Sequence, residues 1–499
     1  MNGILSLIVF LPVVGVLLIV LLGRRPGTVR TIAATVAVAN LLLSLWAWAA
    51  FDPSAVYEHA RGGISYAIQG LQHVDRFSWI PAINAEYFLG VDGLSMPMVL
   101  LGTLLGVAAV FASWHVTSRV REYFIWLLLL QTSVLGVFTS LDFLLFFLFW
   151  ELELVPMYFL ISIWGTGKNT YSAMKFALFT FLAGALLLIG LLTLYFSTGT
   201  FDIMELMTLG RNGTLTTVFL SLQGVYLALL IGFAIKLPVV PLHTWLPDAH
   251  TDAPTAVSVM LAGVMLKMGG YGLIRMNVGI FPDITRDWGV YLAALGVISI
   301  IWGAVITIRQ SDLKRLVAYS SVSHMGLVLL GVGALTELSL TGASLQMFTH
   351  GTITGLLFLL VGLIYDKAHT RHIPDLGGLA KQMPLIAVAF VVAGMASLGL
   401  PATSGFVAEI MVFLGSFGTQ GWATAAAAFG VVLAAGYILW TVERVLFGPS
   451  KLRFAEVTDA APVDTFAIAL LGGFIILVGV YPSLLTNVLK LGISQILGS

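Results

Sequence analysis

Long apolar runs recur from one end of this 499-residue chain to the other, and they constrain its fold more than any other feature. Each run is at least 18 residues long, about the length at which an apolar stretch indicates a membrane-spanning helix. A spanning segment must satisfy its backbone hydrogen bonds without water, and a helix does so internally. The sequence therefore predicts an all-α polytopic membrane protein, with residues 1–499 forming a single membrane domain.

Fourteen segments fit this description, and only 10% of the residues are charged, against about 25% in soluble domains. The segments are residues 4–22, 31–50, 90–113, 123–140, 142–164, 173–196, 219–240, 255–274, 289–308, 316–335, 339–365, 384–415, 422–447 and 463–488.

The distribution of basic residues supports this count, because cytoplasmic loops of membrane proteins are enriched in Lys and Arg. If the N-terminus lies outside, the inside loops carry 16 of the 24 basic residues, and the outside loops and tail carry 6. A missed span would scramble this alternation, so we predict that both termini face the non-cytoplasmic side. The surface formed by the inside loops is called the basic face below.

Composition also excludes several classes of protein. The net charge is zero, which points to neither a nucleic acid nor an acidic substrate. The chain has no cysteine, so cysteine-ligated iron–sulfur clusters, thiol catalysis and disulfides are excluded.

Two apolar segments contain helix-breaking residues. The seventh continues as KLPVVPLHTWLP, and the twelfth contains SLGLPATSGFVAEI in its middle. Broken helices are tolerated in a membrane where they face protein or a wet cavity. The breaks are five spans apart, so an odd-numbered unit reappears upside down, which is typical of inverted repeats. We predict N-terminal spans 1–3 in residues 1–113, a first five-helix repeat (spans 4–8) in 123–274, a second inverted repeat (spans 9–13) in 289–447, and a final span in 463–488.

Four charged residues lie inside predicted spans, namely Glu151, Lys236, Lys267 and Glu409. Each would cost roughly 2.5–3.5 kcal/mol at the bilayer centre on insertion scales. These residues must therefore be paired, hydrated or neutralised, and a chain that retains them is expected to use them to move an ion, most simply a proton. The second break places Glu409 where the first repeat has Lys236.

Structural alternatives exist for each of these residues. Glu151 could make a hydrogen bond within the bundle, and Lys236 could form a static ion pair or cap carbonyls freed by the prolines. Lys267 could donate to an irregular neighbour. Glu153 lies about 200° around the helix from Glu151, so we expect it on another side, as a helix contact or facing a neighbouring subunit.

Two histidines, His324 and His350, lie in the middle of spans ten and eleven. A neutral imidazole can donate at one nitrogen while accepting at the other, which suits a proton wire. They could instead be structural residues, or axial ligands of a haem. The loop PLHTWLPDAHTDAPT contains His243, Asp248 and His250, whose spacing invites a metal interpretation without supplying a convincing ligand set.

Four motifs carry a family resemblance: FWELELVPMYFLI, KLPVVPLHTWLPDAHTDAPTAVSVMLAGVMLKMGGYGLIR, DLKRLVAYSSVSHMGL and LPATSGFVAEI. Through them the chain resembles the antiporter-like, proton-translocating membrane subunits of respiratory complex I (NADH:quinone oxidoreductase), which are similar to subunits of multisubunit Na⁺/H⁺ antiporters. The resemblance covers nearly the whole chain. Glu409 indicates the M-type subunit, since the other types usually carry lysine there.

The resemblance implies a role for each candidate residue. Glu151 and Lys236 would form an ion pair, and Lys267 would be the central relay. His324 and His350 would form the hydrated link, and Glu409 the distal site. Glu153 departs from the simplest family pattern, so its role stays open.

The resemblance also implies partners and a location. The chain itself would hold no cofactor, whereas FMN, iron–sulfur clusters and quinone would be bound by partner subunits. Its neighbours would be the L-type and N-type antiporter-like subunits, small membrane subunits and lipid, with no nucleic acid. We expect a bacterial inner membrane. A subunit of a Na⁺/H⁺ antiporter and a haem-bearing quinol enzyme remain alternatives.

Overall fold

The computed structural model describes residues 3–61, 64–449 and 451–498. Twelve helices in this part of the chain are long and apolar enough to cross a membrane. Two further apolar segments are interrupted, each giving two shorter helices. Together they account for the fourteen predicted segments, and the prediction of a polytopic helical membrane protein is confirmed.

The described residues of the first half form twelve α-helices and four strands. In order they are α1 (Ile4–Leu22), α2 (Pro26–Ala49), β1 (Val56–Arg61), β2 (Ile64–Gln69), β3 (Gln72–Ile80), β4 (Ala85–Val91), α3 (Ser95–Ala112), α4 (Val120–Thr139), α5 (Phe143–Leu152), α6 (Leu154–Trp164), α7 (Asn169–Thr198), α8 (Ile203–Arg211), α9 (Leu222–Lys236), α10 (Trp245–Asp252), α11 (Thr255–Met260) and α12 (Leu266–Gly272). Two π-helical segments, Leu261–Met265 and Leu273–Val278, make α11 and α12 parts of one continuous span.

In the second half, the regular elements formed by the described residues are all helices. They are α13 (Pro282–Asp287), α14 (Gly289–Ile308), α15 (Leu313–Ala334), α16 (Glu337–Ala368), α17 (Pro384–Ser397), α18 (Ser404–Phe417), α19 (Gly421–Val442), α20 (Pro462–Val480) and α21 (Ser483–Leu497). The π-helical segment Glu443–Phe447 extends α19, and short 3₁₀ turns lie in the loops.

Both predicted breaks are present. The seventh span ends as α9 at Lys236 and resumes as α10 at Trp245. The twelfth ends as α17 at Ser397 and resumes as α18 at Ser404. Proline lacks the backbone donor that continues a helix, and each break contains at least one proline. The seventh and twelfth segments are therefore the interrupted ones, as predicted.

The loop before the third span adds strands to the helical membrane fold. This loop forms two antiparallel hairpins, β1–β2 and β3–β4, and α3 begins only at Ser95. The sequence YEHARGGISYAIQ does contain alternating side chains around a Gly–Gly pair, which is a hairpin signal. The last predicted segment is also divided, because α20 ends at Val480 before α21 begins.

A cluster of charged residues attaches these hairpins to the helices. Arg76 donates to Glu86 at 2.8 Å and to Asp202 at 2.9 Å. Burial and the neighbouring Asp202 carboxylate raise the pKa of Tyr66, so its hydroxyl keeps its proton and donates to Asp202 at 2.7 Å. Charge-assisted bonds of this kind are stronger than neutral ones, and here they connect the hairpins to Asp202, the N-cap residue of α8.

Two spans occupy the centre of the bundle and are buried along their most apolar stretches. They are Thr255–Val278 and Glu337–Ala368. Glycines permit close packing here, since a Cβ at Gly351 would meet the backbone oxygen of Gly263. The central position of these spans places Lys267 and His350, one on each, within contact distance in the middle of the membrane domain.

Candidate functional site

Lys267 and His350 form a direct contact at the centre of the bundle. The Lys267 Nζ lies 2.7 Å from the His350 Nδ1, and it also donates to the Ala262 carbonyl in the preceding π-helical segment. An ammonium can only donate, so Nδ1 accepts and the His350 Nε2 carries the ring proton. This Nε2 has no hydrogen-bond partner among the described residues. Its proton is therefore available to a further acceptor.

His324 lies next to His350 and also close to Glu409. The two imidazole rings have centroids 5.6 Å apart. His324 Nε2 lies 3.1 Å from the Ser397 hydroxyl, and its Nδ1 lies 3.8 Å from the Glu409 Oε1. A separation of 3.8 Å is too long for a direct hydrogen bond, so His324 and Glu409 are close to each other without being directly bonded.

A small cavity adjoins this end of the line. It has room for about one water molecule. The lining residues are His324, Gln346, His350, Ile353, Ala396, Ser397, Gly405 and Glu409. The second helix break provides this space, because Ser397 and Gly405 flank the interrupted turn. Four of the six predicted site residues therefore lie in one connected line, Lys267–His350–His324–Glu409.

The predicted Glu151–Lys236 ion pair is not the direct one in this structure. Lys236 is fully buried and contacts the Glu153 carboxylate instead. Glu153 follows Leu152, the last residue of α5, and keeps right-handed helical backbone angles (φ −67°, ψ −27°). It therefore lies on a different side of the helix from Glu151 and makes a helix–helix contact with Lys236 of α9. The rings of Trp150 and Phe176 lie 5.2 and 5.6 Å from the Lys236 ammonium and exclude water from the pair.

Glu151 is nevertheless close to Lys236. It is partly exposed rather than buried, and its carboxylate lies against Gly184 of α7, where an added Cβ would overlap it. Lys236 is its nearby countercharge. Lys236 therefore has two carboxylates nearby. Glu153 contacts it directly in the buried interior, and Glu151 lies in a partly exposed position. Among the described contacts, none joins Lys236 directly to Lys267.

The two charged residues at the helix breaks are not in equivalent places, which corrects our expectation for Glu409. Lys236 is the last residue of α9, before its break, whereas Glu409 follows its break and lies in the second turn of α18. A helix C-terminus favours a cation and an N-terminus favours an anion. Lys236 therefore lies where the helix end favours its charge, whereas Glu409, in the second turn of α18, lies beyond the range of this effect.

The loop motif with His243, Asp248 and His250 is used for other contacts. Asp248 pairs with Lys175 at 2.7 Å and with Arg315 at 3.3 Å, and His250 stacks on Phe358 with centroids 4.4 Å apart. In the described part of the chain, no three His, Asp or Glu residues are arranged to hold a metal ion.

Sequence reasoning missed Ser397 and Gln346, which line the cavity beside the histidines. Neither has a distinctive pattern of its own. Ser397 could have been suspected because it immediately precedes the second break, where freed backbone groups and polar side chains are expected. Gln346 lies four residues before His350 on α16, and thus on the same helix face.

Comparison with known proteins fits this arrangement. Residues 140–434 match the family described as "NADH:quinone oxidoreductase/Mrp antiporter, TM". The chain belongs to this family. A relative from Rhodobacter capsulatus, named NADH-quinone oxidoreductase subunit M, is 40% identical, covering 98% of this chain and 95% of the relative. NAD(P)H-quinone oxidoreductase chain 4 1 from Synechococcus elongatus is 44% identical, covering 96% and 89%.

Two solved structures have the same fold as this chain. A chain of respiratory complex I from Thermus thermophilus with bound NADH matches with a TM-score of 0.85 and 26% identity, covering 99% of this chain and 100% of that one. A chain of the Mrp complex from Dietzia sp. matches with a TM-score of 0.82 at 21% identity, covering 99% and 97%. The second likeness concerns the fold alone. The family resemblance stated from the motifs is confirmed.

Proposed function

We propose that this chain is the M-type proton-translocating subunit of the membrane arm of a complex-I-like NAD(P)H or ferredoxin:quinone oxidoreductase. The observation that carries the proposal is the line Lys267–His350–His324–Glu409 through the bundle interior. Relatives named as subunit M and chain 4 of quinone oxidoreductases support it. The chain acts as part of a translocase and performs no redox chemistry itself.

The proton moves along groups that alternate as donors and acceptors. Lys267 gives a proton to the His350 Nδ1, and the Nε2 proton of the same ring leaves towards the cavity. A cavity water passes a proton to His324, whose Nδ1 faces Glu409. An imidazole relays a proton without a lasting charge when uptake at one nitrogen accompanies release at the other. Glu409 then holds the proton until it is released.

The ion pair between Lys236 and its neighbouring carboxylates controls whether Lys267 receives a proton. Glu153 holds the Lys236 ammonium in dry contact, and Glu151 offers a second, more accessible carboxylate. A charge shift arriving from the neighbouring subunit moves the ammonium between the two acids. Because charges attract or repel strongly in a low-dielectric interior, this movement changes the proton affinity of the line.

The two five-helix repeats, residues 123–274 and 289–447, are inverted relative to each other. In support, each repeat has an Asp that caps its second span and bridges to the later loop: Asp142 to Asp202, and Asp312 to His372. The basic face is cytoplasmic, both termini lie outside, and the membrane is a bacterial inner membrane.

Partner subunits carry the remaining functions. L-type and N-type antiporter-like chains and small membrane subunits flank this chain. FMN, iron–sulfur clusters and quinone belong to other subunits, and quinone reduction there supplies the free energy. The absence of cysteine supports this division, since cysteine thiolates hold most iron–sulfur clusters.

A second candidate is a subunit of a multisubunit Na⁺/H⁺ antiporter, favoured by the fold shared with the Mrp chain. The glutamate at position 409, where such homologues usually carry lysine, argues against it. A gentle affinity purification of the tagged chain from native membranes separates the two. We expect quinone-reductase partners by mass spectrometry and iron–sulfur signals by low-temperature electron paramagnetic resonance. Membrane-embedded partners alone, with sodium-dependent ΔpH formation and no redox signal, would overturn the proposal.

A further inference from the structure

Ser397 is a buried serine whose hydroxyl contacts a histidine of the proposed proton line. It is the last residue of α17 and lies just before the second helix break. Its Oγ is 3.1 Å from the His324 Nε2, which is within hydrogen-bond distance. Ser397 also lines the cavity that adjoins His350 and Glu409. One hydroxyl therefore contacts both a ring nitrogen of the line and the space in which a water molecule fits.

The hydroxyl of Ser397 is not occupied by its own helix. Ser133, a buried serine on α4, shows the usual arrangement, because its hydroxyl donates to the Leu130 carbonyl at 2.8 Å. Serine within a helix often bonds a carbonyl of the preceding turn in this way. Among the described residues, the Ser397 hydroxyl makes no such bond, and its hydrogen-bond partner is the His324 Nε2. Its hydrogen can therefore point either at the ring or into the cavity.

The two ring nitrogens of His324 face different groups. Nδ1 lies 3.8 Å from the Glu409 Oε1, whereas Nε2 is bonded to Ser397. An imidazole that relays a proton takes it up at one nitrogen and releases it from the other. If Nδ1 releases a proton towards Glu409, uptake occurs at Nε2. Because the serine hydroxyl already occupies Nε2, a proton from the cavity reaches the ring through Ser397.

We infer that the Ser397 hydroxyl is the proton relay between the cavity and His324. The inference rests on the proposed function, since it names the group that supplies the imidazole. A serine hydroxyl has one donor hydrogen and two acceptor lone pairs, so it can accept and donate in one step. A hydrated proton in the cavity forms a new O–H bond on Oγ as the original O–H bond breaks, and the released proton forms an N–H bond at Nε2. The serine is neutral before and after, the cavity water is left neutral, and the positive charge passes to the ring, which releases its Nδ1 proton towards Glu409.

This relay depends on the position of the second helix break. Ser397 belongs to α17, which ends there, whereas His324 belongs to α15. Lengthening their 3.1 Å contact beyond about 3.5 Å would end the hydrogen bond. A displacement of the end of α17 would therefore stop proton uptake by His324 without changing any charged residue.

The first test compares Ser397→Ala, which removes the hydroxyl, with Ser397→Thr, which keeps it. Protons pumped per electron are measured in vesicles that contain the intact complex, and assembly is checked by co-purification of the subunits. Loss of a positioned acid–base group slows transfer by roughly tenfold or more. We therefore expect Ser397→Ala to lose as much pumping as His324→Gln, and Ser397→Thr to recover most of it. Ser133→Ala is the matched control and should pump as the wild type does.

Combining Ser397→Ala with His324→Gln tests whether the two residues serve one step. Residues that act as a unit give losses that do not add, so we expect the double variant to pump as well as His324→Gln alone. A further loss in the double variant would overturn the relay. Equal losses in Ser397→Ala and Ser397→Thr would also overturn it, because the hydroxyl would then not be the group that matters.

A measurement without turnover separates this inference from the proposed function. Solid-state NMR of the complex with ¹⁵N-labelled histidine reports hydrogen bonding at each ring nitrogen, and His324→Gln identifies the His324 signals. We expect Ser397→Ala to shift the Nε2 signal, and an unchanged signal would overturn the contact. Full pumping in His324→Gln would count against the proposed function, whereas full pumping in Ser397→Ala with a loss in His324→Gln would overturn only the relay.

Discussion

The two interrupted helices differ in how they accommodate a buried charge. At the first break, Lys236 contacts Glu153 directly and is enclosed by aromatic rings. At the second, Glu409 stands 3.8 Å from the His324 Nδ1 beside a cavity that has room for about one water molecule. One site is dry and paired, whereas the other is polar, loosely contacted and hydratable.

This difference shows that a helix break can have two different roles in the same protein. A dry ion pair changes state only when another charge competes for one partner, because an unpaired charge in a low-dielectric site is costly. A hydratable acid beside an imidazole exchanges protons readily, because water can bridge the gap. The first break is therefore suited to sensing charge, and the second to holding and releasing a proton.

The largest effect is expected from Lys236→Ala. It removes the cation on which both carboxylates of the first break depend, and we expect coupled turnover to be abolished or strongly lowered. An uncompensated buried carboxylate costs about 3–5 kcal/mol, which Glu153 avoids by taking up a proton, so assembly should be retained. Quinone reductase activity and ΔpH formation in membrane vesicles measure the loss. Lys490→Ala, at an exposed ion pair with Glu337, is the control, and wild-type turnover in Lys236→Ala would contradict the ion-pair role.

A second prediction separates the two acids of the first break. Glu151→Gln should strongly lower coupled turnover with normal assembly, because it removes the accessible alternative partner of Lys236. Glu153→Gln should lower the thermal stability of the complex more, since it removes the buried direct contact. Turnover and melting temperature are measured on both variants in parallel. The reverse pattern would assign the mobile role to Glu153.

A third prediction concerns the hydratable site. His324→Gln keeps a group that can bond Ser397 but cannot be protonated, and a positioned acid–base group is worth at least roughly tenfold in rate. We expect protons pumped per electron to fall while quinone reduction continues. Lys267→Ala should behave similarly if Lys267 is an obligatory relay. Full pumping in His324→Gln would remove the histidine from the line.

The smallest effects are expected from substituting the two glycines that lie against the Glu409 and Glu151 carboxylates. Gly399 has a positive φ of 78° and lies against the Glu409 carboxylate, so Gly399→Ala adds about 1–2 kcal/mol of backbone strain and displaces the acid. Gly184→Ala meets only the flexible end of Glu151, which can rotate away. A lower proton-to-electron ratio in Gly399→Ala, with a near wild-type ratio in Gly184→Ala, would fit the comparison. Equal losses would mean that the first acid is as tightly placed as the second.

Much of the fold could be predicted because membrane insertion imposes simple rules. Apolar length, basic loops and proline positions located the spans and both breaks. The β1–β2 and β3–β4 hairpins were missed because their alternating pattern lies in a polar loop, where length and hydropathy carry little information. The inverted relation of the two repeats stays a prediction.

The candidate site was predicted in its members but not in all its contacts. Lys267, His324, His350 and Glu409 are brought together, and each could be recognised as an ionisable residue within a span. The pairing of Lys236 with Glu153 depends on how helices that are distant in the chain pack against each other, which periodicity cannot indicate. Ser397 and Gln346 are ordinary polar residues whose importance comes only from the cavity that they line.

The sequence by itself determined that the chain is a membrane bundle of known family, that two spans are broken, and which ionisable residues are buried. It could do so because the cost of burying charge and unpaired backbone groups in lipid is large and local. Tertiary structure alone decided which carboxylate contacts Lys236 and where water can enter. Those outcomes depend on how helices distant in the chain pack, and a difference of a few ångströms separates a dry ion pair from a hydrated acid.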